Sequence, residues 1–266
     1  MNKARELYQA GKLSEAIEAM NAEVKAKPTD VAARGFLAEL LCFAGNHQRA
    51  DLLLDQMSGI DPSLAVPLSL LRQLVRADMA REQYRDEGRM PEFIDQPDER
   101  VRAYLQASIL MREGKAAEAA AILAPVEEGR APVAGSHDDA EFSDFRDLDD
   151  LAPAMLEVYT STGKYFWIPT DRVIEIEFRP PTRPHDLIWR QAHMSVADGP
   201  EGEVYLPVLY AGSGKAESDA LRLGRETAWE GADDEPVRGV GQRCFLVGDD
   251  IVPIMELTHL IFDRAE

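Results

Sequence analysis

The feature that most constrains this 266-residue chain is a period of 34 residues near its start. Gly11 and Gly45 are one period apart, as are Ala4 and Ala38, Leu7 and Leu41, Ala16 and Ala50, Met20 and Leu54, and Pro28 and Pro62. A period of this length marks a stack of supersecondary units, each burying its apolar face only against its neighbours. The residue types fit helical hairpins. Alanine at fixed positions lets two helices approach, glycine at the turn permits a close crossing or a positive φ, and proline ends each unit. A third copy begins at Gly114-Lys115-Ala116-Ala117-Glu118-Ala119, with Ala107 before it and Leu123 after it. Residues 62–88 lack the pattern and predict one long helix carrying Leu64, Leu68, Leu71, Leu74 and Val75. Pro91 and Pro97 then break the chain before the last hairpin.

The period and its residues resemble the tetratricopeptide repeat, whose first helices line a concave face. That register makes residues 31–44 and 101–111 first helices. It points Ala32, Gly35, Glu39 and Phe43 inward, together with Val101, Tyr104, Ser108 and Met111. These residues, with Glu39, Phe43, Val101, Tyr104, Ser108 and Met111 foremost, are the candidate groove for an amphipathic helix. The competing expectation is that Phe43 and Tyr104 pack against the long helix.

Past Gly129 the character changes. Residues 131–150 hold a Gly/Pro stretch and then seven acidic side chains opposed only by Arg146, which reads as a solvated acidic connector. Phe142, Phe145, Leu148 and Leu151 fall at helix-compatible spacing, and residues 151–159 read as a short helix. Few contacts are expected to cross the connector, so residues 1–130 should fold alone. Strand signals dominate from there on. Val173–Phe178 alternates with period two, residues 188–196 and Glu203-Val204-Tyr205-Leu206 are further candidates, and Cys244-Phe245-Leu246-Val247 is strand-like. The expected architecture is multi-domain, α and β: a tetratricopeptide-like α-helical hairpin array over 1–130, the connector over 131–150, and an antiparallel β-rich α+β domain of five or six strands over 151–266.

Charge narrows the partners. The net charge is −19; residues 1–130 carry 17 Lys and Arg against 21 Asp and Glu, and residues 131–266 carry 12 against 27. Such a surface repels phosphate backbones, so no nucleic acid partner is expected. No apolar run approaches a membrane span, and Met1 to Glu6 shows no apolar signal region, so a cytoplasmic location is expected. Two cysteines, Cys42 and Cys244, build no disulfide framework.

Candidate chemistry is sparse. Gly212-Ser213-Gly214-Lys215 has Leu209 and Ala216 where a phosphate-binding loop needs Gly and Ser or Thr, and reads as a flexible loop. Gly239-Val240-Gly241 precedes a strand, whereas a dinucleotide fingerprint opens a helix. His47, His137, His185, His193 and His259 form no zinc pattern. No catalytic, cofactor-binding or metal-ligating residue is therefore assigned. Trp167, Trp189 and Tyr205 are expected in the core, and Trp229, followed by Gly and acidic residues, is a candidate surface patch.

Several longer strings carry a second resemblance: Trp167-Ile168-Pro169, Asp186-Leu187-Ile188-Trp189-Arg190, the stretch from Asp198-Gly199-Pro200 through Leu206-Pro207, Leu221-Arg222-Leu223-Gly224-Arg225 through Trp229, and Val237-Arg238-Gly239-Val240-Gly241-Gln242-Arg243. They resemble the ImpE family, also called TagJ or SciE-type virulence proteins. The resemblance implies a non-enzymatic adaptor of bacterial type VI secretion, without cofactor. It implies binding to a helical segment of the small sheath subunit TssB, near the ATPase ClpV. The alternative is an enzyme, hydrolase-like, with a carboxylate-lined site in the second domain.

Overall fold

The computed structural model describes residues 3–263, so the first two and last three residues of the expected domains lie outside it. The helical part holds α1 (Lys3–Gln9), α2 (Leu13–Ala26), α3 (Val31–Phe43), α4 (His47–Ile60), α5 (Ala65–Glu87), α6 (Glu99–Arg112) and α7 (Ala116–Glu128). Two hairpins follow the 34-residue register, and the third, whose Gly114 lies 69 residues after Gly45, falls one residue out of it. Gly11, Gly45 and Gly114 all have positive φ, +79°, +66° and +72°, which is why the period keeps glycine there. Asp30 and Asp98 start α3 and α6 by accepting the backbone N–H of Ala33 and Val101. Residues 62–88 form the expected long helix, α5, after a single 3₁₀ turn at Pro62–Leu64.

The rest is β-rich: β1 (Gly135–His137), β2 (Ala140–Phe142), β3 (Phe145–Asp147), β4 (Met155–Thr160), β5 (Tyr165–Pro169), β6 (Val173–Phe178), β7 (Trp189–Val196), β8 (Glu201–Pro207), the short helix α8 (Asp219–Arg222), β9 (Thr227–Glu230), β10 (Arg238–Gly241), β11 (Cys244–Val247), β12 (Asp250–Pro253) and β13 (His259–Phe262). Eight strands form one antiparallel sheet in the order β2-β1-β13-β6-β7-β8-β4-β5. A three-stranded sheet, β12-β11-β3, and the β9–β10 ribbon complete the fold. The loop between α5 and α6 joins β5: Glu92 N–H donates to Tyr165 O (2.8 Å), and Trp167 N–H donates to Glu92 O (3.0 Å).

The large sheet is buried on both faces. Along β4, Met155 and Tyr159 face the helices while Leu156 and Val158 face the second apolar cluster, around Phe145 and Phe245. On β5, Tyr165 and Trp167 face the helices and Ile168 the other cluster. This is the period-two rule at work, so a one-residue slip would exchange the two faces. In β6 a register shift between Val173 and Glu175 breaks strict alternation and brings Val173, Ile176 and Phe178 into the same cluster.

Three expectations are corrected. The acidic stretch is not a solvated connector: it forms β1, β2 and β3, with Phe142 and Phe145 buried. Its helix-like spacing arises because turns separate strands of only three residues, and Asp144 is occupied by Arg130 and the N–H of Val133. Residues 151–159 lead into strand β4, because the side chains of Met155 to Tyr159 serve two opposite cores rather than one helical face. Contacts between the halves are also extensive. A single apolar cluster contains Leu37, Val75 and Tyr104 from the helices together with Tyr159, Trp167 and Trp189 from the sheet.

Candidate functional site

The helical face read as a groove is filled by the protein itself. Phe43, Val101 and Tyr104 are buried at 0%, 3% and 1% exposure, and Ser108 is buried too, accepting or donating a hydrogen bond with the Tyr84 hydroxyl (2.5 Å). Glu39 is engaged by the second half, with its carboxylate 2.8 Å from His185 Nδ1. Gly35, Glu39 and Met111 are half-buried and Ala32 is exposed, and Met111 lines an open cavity. None of the buried four is presented to a partner here. Trp229 stands apart on β9 at 43% exposure, its ring 5.8 Å from that of Tyr210 in an edge-on contact.

Between the halves lies a network of buried charge. Arg81 on α5 donates to Glu157 on β4 from Nε (2.9 Å) and Nη2 (2.5 Å), and to Leu209 O (3.0 Å). Arg243 joins the same carboxylate of Glu157 and reaches Asp147 Oδ2 at 3.2 Å. Asp78, one turn before Arg81, accepts from the Tyr159 hydroxyl (2.6 Å) and Trp189 Nε1 (3.0 Å), and lies 3.1 Å from His47 Nε2. The other ring nitrogen of His47 lies 3.0 Å from Glu82.

The electrostatics follow from this pairing. Burial opposes ionisation of Glu157, but the guanidinium groups of Arg81 and Arg243 outweigh it and bring its pKa down to about 2. Burial likewise opposes charging of His47, but Asp78 and Glu82 outweigh it and raise its pKa to about 10. Asp149 goes the other way: burial and then the Asp147 carboxylate raise its pKa to about 7, against the opposing hydrogen bonds from Leu151 N–H (3.0 Å) and Gly239 N–H (3.1 Å).

Sequence reasoning missed this network. Its trace was present: Asp78 and Arg81 continue the stripe of Leu74 at helical spacing, placing charge on the buried face of α5. The partners Glu157 and Arg243 sit 76 and 162 residues further along from Arg81, a pairing that no local pattern encodes.

Two loops of the second half fasten the helical turns. Arg225 donates to Tyr8 O (2.7 Å) and Gln9 O (2.9 Å) beside Gly11. The Gly212-to-Lys215 loop, expected to be flexible, is packed against the Gly45 turn: Ser213 is buried and its Oγ donates to Tyr210 O (2.7 Å). The positive φ of +91° explains the glycine at 212; the Arg85 guanidinium beside it would have to swing aside for a Cβ. Among the described residues no group of three or more His, Cys, Asp or Glu side chains is arranged to hold a metal ion. No helix there is long and apolar enough to cross a membrane.

A short tetratricopeptide-like stack locked by buried ion pairs onto an antiparallel β-domain defines a class of helical-repeat proteins with a fused β-module. Residues 139–261 match the ImpE protein family. The chain is similar, at 28% identity over 263 residues (99% of this chain, 92% of the relative), to the type VI secretion system accessory component TagJ of Pseudomonas aeruginosa. The crystal structure of protein VPA1032 from Vibrio parahaemolyticus superposes with a TM-score of 0.92 at 30% identity, covering 99% of this chain and 98% of that one. The family match falls on the β-rich half, and the similarity to TagJ and to VPA1032 runs through the helical half as well.

Proposed function

We propose that this protein is an accessory component of a bacterial type VI secretion system and works there as a non-enzymatic cytoplasmic adaptor. The observation that carries the reading is the end-to-end similarity to the Pseudomonas aeruginosa component. In this reading the partner is a helical segment near the N-terminus of the small sheath subunit TssB, delivered close to ClpV. Because the first-helix face is filled, the reading moves recognition to the outer surface around Trp229, where an exposed aromatic sits on a rigid ribbon. Calorimetry with a TssB N-terminal peptide tests it. Saturable binding weakened about tenfold or more by Trp229→Ala is expected, in the range of interface aromatics. Absence of binding to the wild-type protein removes the adaptor reading, and unchanged affinity in the variant removes this surface.

One observation favours a hydrolase as a second reading: the raised pKa values of the neighbouring Asp147 and Asp149 in an open cavity. The hydrogen bonding weighs against it. Asp147 Oδ1 accepts from Tyr210 (3.1 Å) and Asp149 N–H (2.9 Å), its Oδ2 meets Arg243, and both Asp149 oxygens accept backbone N–H groups. Carboxylates so engaged serve the fold, and the adaptor reading stands as the conclusion.

A further inference from the structure

A cavity of about 590 Å³ opens between α5 and α6 on one side and β4, β5 and β10 on the other. That volume lies in the range of small-molecule sites. Its charge runs against the rest of the molecule. In a chain of net −19, six cationic side chains line it against five carboxylates. Deep in the cavity Arg81 and Arg243 are held by Glu157 and Asp147, and Asp149 gives this inner group one carboxyl group more than it has guanidiniums. The surplus lies in the outer group, where Arg85, Arg112, Lys215 and Arg238 face only Asp86 and Glu230. Arg85 and Lys215 share Asp86, at 2.8 and 3.0 Å. Arg112 meets no carboxylate within ion-pair distance among the described residues; its Nη1 donates to Tyr84 O (3.0 Å).

A second observation is independent of this tally. Arg243 is 5% exposed, lines the cavity, and its Nε–H has no acceptor among the described residues. A buried donor left unpaired is destabilising, and an acceptor supplied by a ligand would satisfy it. Apolar surface from Met111, Leu151, Met155 and Trp167 forms the remaining wall.

We propose that this cavity binds a small organic anion, an oxyanion on an apolar body. The oxyanion meets the Arg112 and Arg243 donors, and the body lies against Met111 and Trp167. This assignment is separate from the adaptor reading and does not depend on it.

The full-length protein tests it by tryptophan fluorescence, because Trp167 lines the cavity. Phenyl phosphate and phenylacetate are the probes, with inorganic phosphate and benzyl alcohol as partial mimics. The expected result is saturable binding of one or both aryl anions, about tenfold or more weaker in Arg112→Gln and abolished in Met111→Trp, which fills the wall. The anion that responds identifies the oxyanion, carboxylate or phosphate. Circular dichroism checks both variants; if Met111→Trp does not fold, Arg112→Gln decides. No saturable response to either aryl anion overturns the proposal. So does binding of benzyl alcohol with equal affinity, or a response unchanged in the folded variants, which would mark an adventitious surface anion.

Discussion

Gly214 rests on the backbone of Gly45: a Cβ built on Gly214 would stand 2.6 Å from the Gly45 nitrogen and 2.9 Å from its Cα. The turn of the second helical hairpin and a loop of the β-domain thus meet main chain to main chain. Gly214→Ala should therefore lower stability by about 1–3 kcal/mol, as overpacking does, because backbone on both sides cannot yield cheaply. Chemical denaturation monitored by circular dichroism measures it, and an unchanged midpoint would show that the contact gives way freely. Gly45→Val, at φ +66° with Gly214 Cα 3.6 Å from its built Cβ, should fall in the same range for a different reason, backbone strain.

Tyr104 gives a contrasting expectation. Buried at 1% in the cluster shared by helices and sheet, it acts through packing. Tyr104→Ala should cost about 3–5 kcal/mol of stability while leaving the affinity of the remaining folded protein for a TssB peptide unchanged. Thermal unfolding and calorimetry on the same sample separate the two; a stable variant with weakened binding would restore the helical groove.

Arg81 and Arg243 share Glu157, so removing the carboxylate takes the ion-pair partner from the buried Arg81 and leaves Arg243 with Asp147 alone. Glu157→Ala should destabilise by about 3–5 kcal/mol, as broken buried pairs do. Glu157→Gln keeps an acceptor and should cost less. Equal losses in the two variants would mean that shape rather than charge holds this position.

The pH dependence has three separable parts. Glu157 has a folded pKa of about 2 against an ordinary 4.5, so its contribution is present above 4.5 and is lost as pH falls through 2. His47 has a folded pKa of about 10 against 6.5, so its contribution is present below 6.5 and is lost as pH rises through 10. Asp149, raised to about 7 from 3.8, makes folding less favourable as pH climbs across that interval. Denaturation midpoints from pH 2 to pH 10 should show His47→Gln with a flatter alkaline limb and Asp149→Asn with a flatter decline between about 4 and 7. A His47→Gln profile parallel to wild type would mean that this imidazole is not charged in the folded protein.

Much of the helical half was legible because its information is local. A spacing of glycine, alanine and proline repeats at 34 residues, and Gly11 and Gly45 fall at turns as that spacing requires; Gly114, one residue out of register, sits at the same kind of turn. Strands β6, β7 and β8 were legible from their length and their β-branched and aromatic residues, although the register shift in β6 breaks its alternation. Strands β1, β2 and β3 were not. At three residues each they offer no period, and acidic side chains that look solvated are in fact holding Arg130, Tyr210 and backbone N–H groups. The groove residues were placed on the correct helices, yet the sequence carries no sign that Tyr84 of α5 would engage Ser108, or His185 of the second half Glu39. Trp167 and Trp189 are buried, as aromatics of a β-rich domain are expected to be, and Trp229, singled out by the Gly and acidic residues that follow it, is exposed.

The hydrogen bonds that tie Glu92 to Tyr165 and Trp167 have a consequence for how this molecule meets others. They occupy main-chain groups of β5, the last strand at one end of the eight-stranded sheet, while the other end finishes in β2, only three residues long. A foreign strand thus finds no extended ladder to join at either end, which protects the sheet from polymerising through its borders. For the large sheet this disfavours contact through an added strand and leaves contact through side chains.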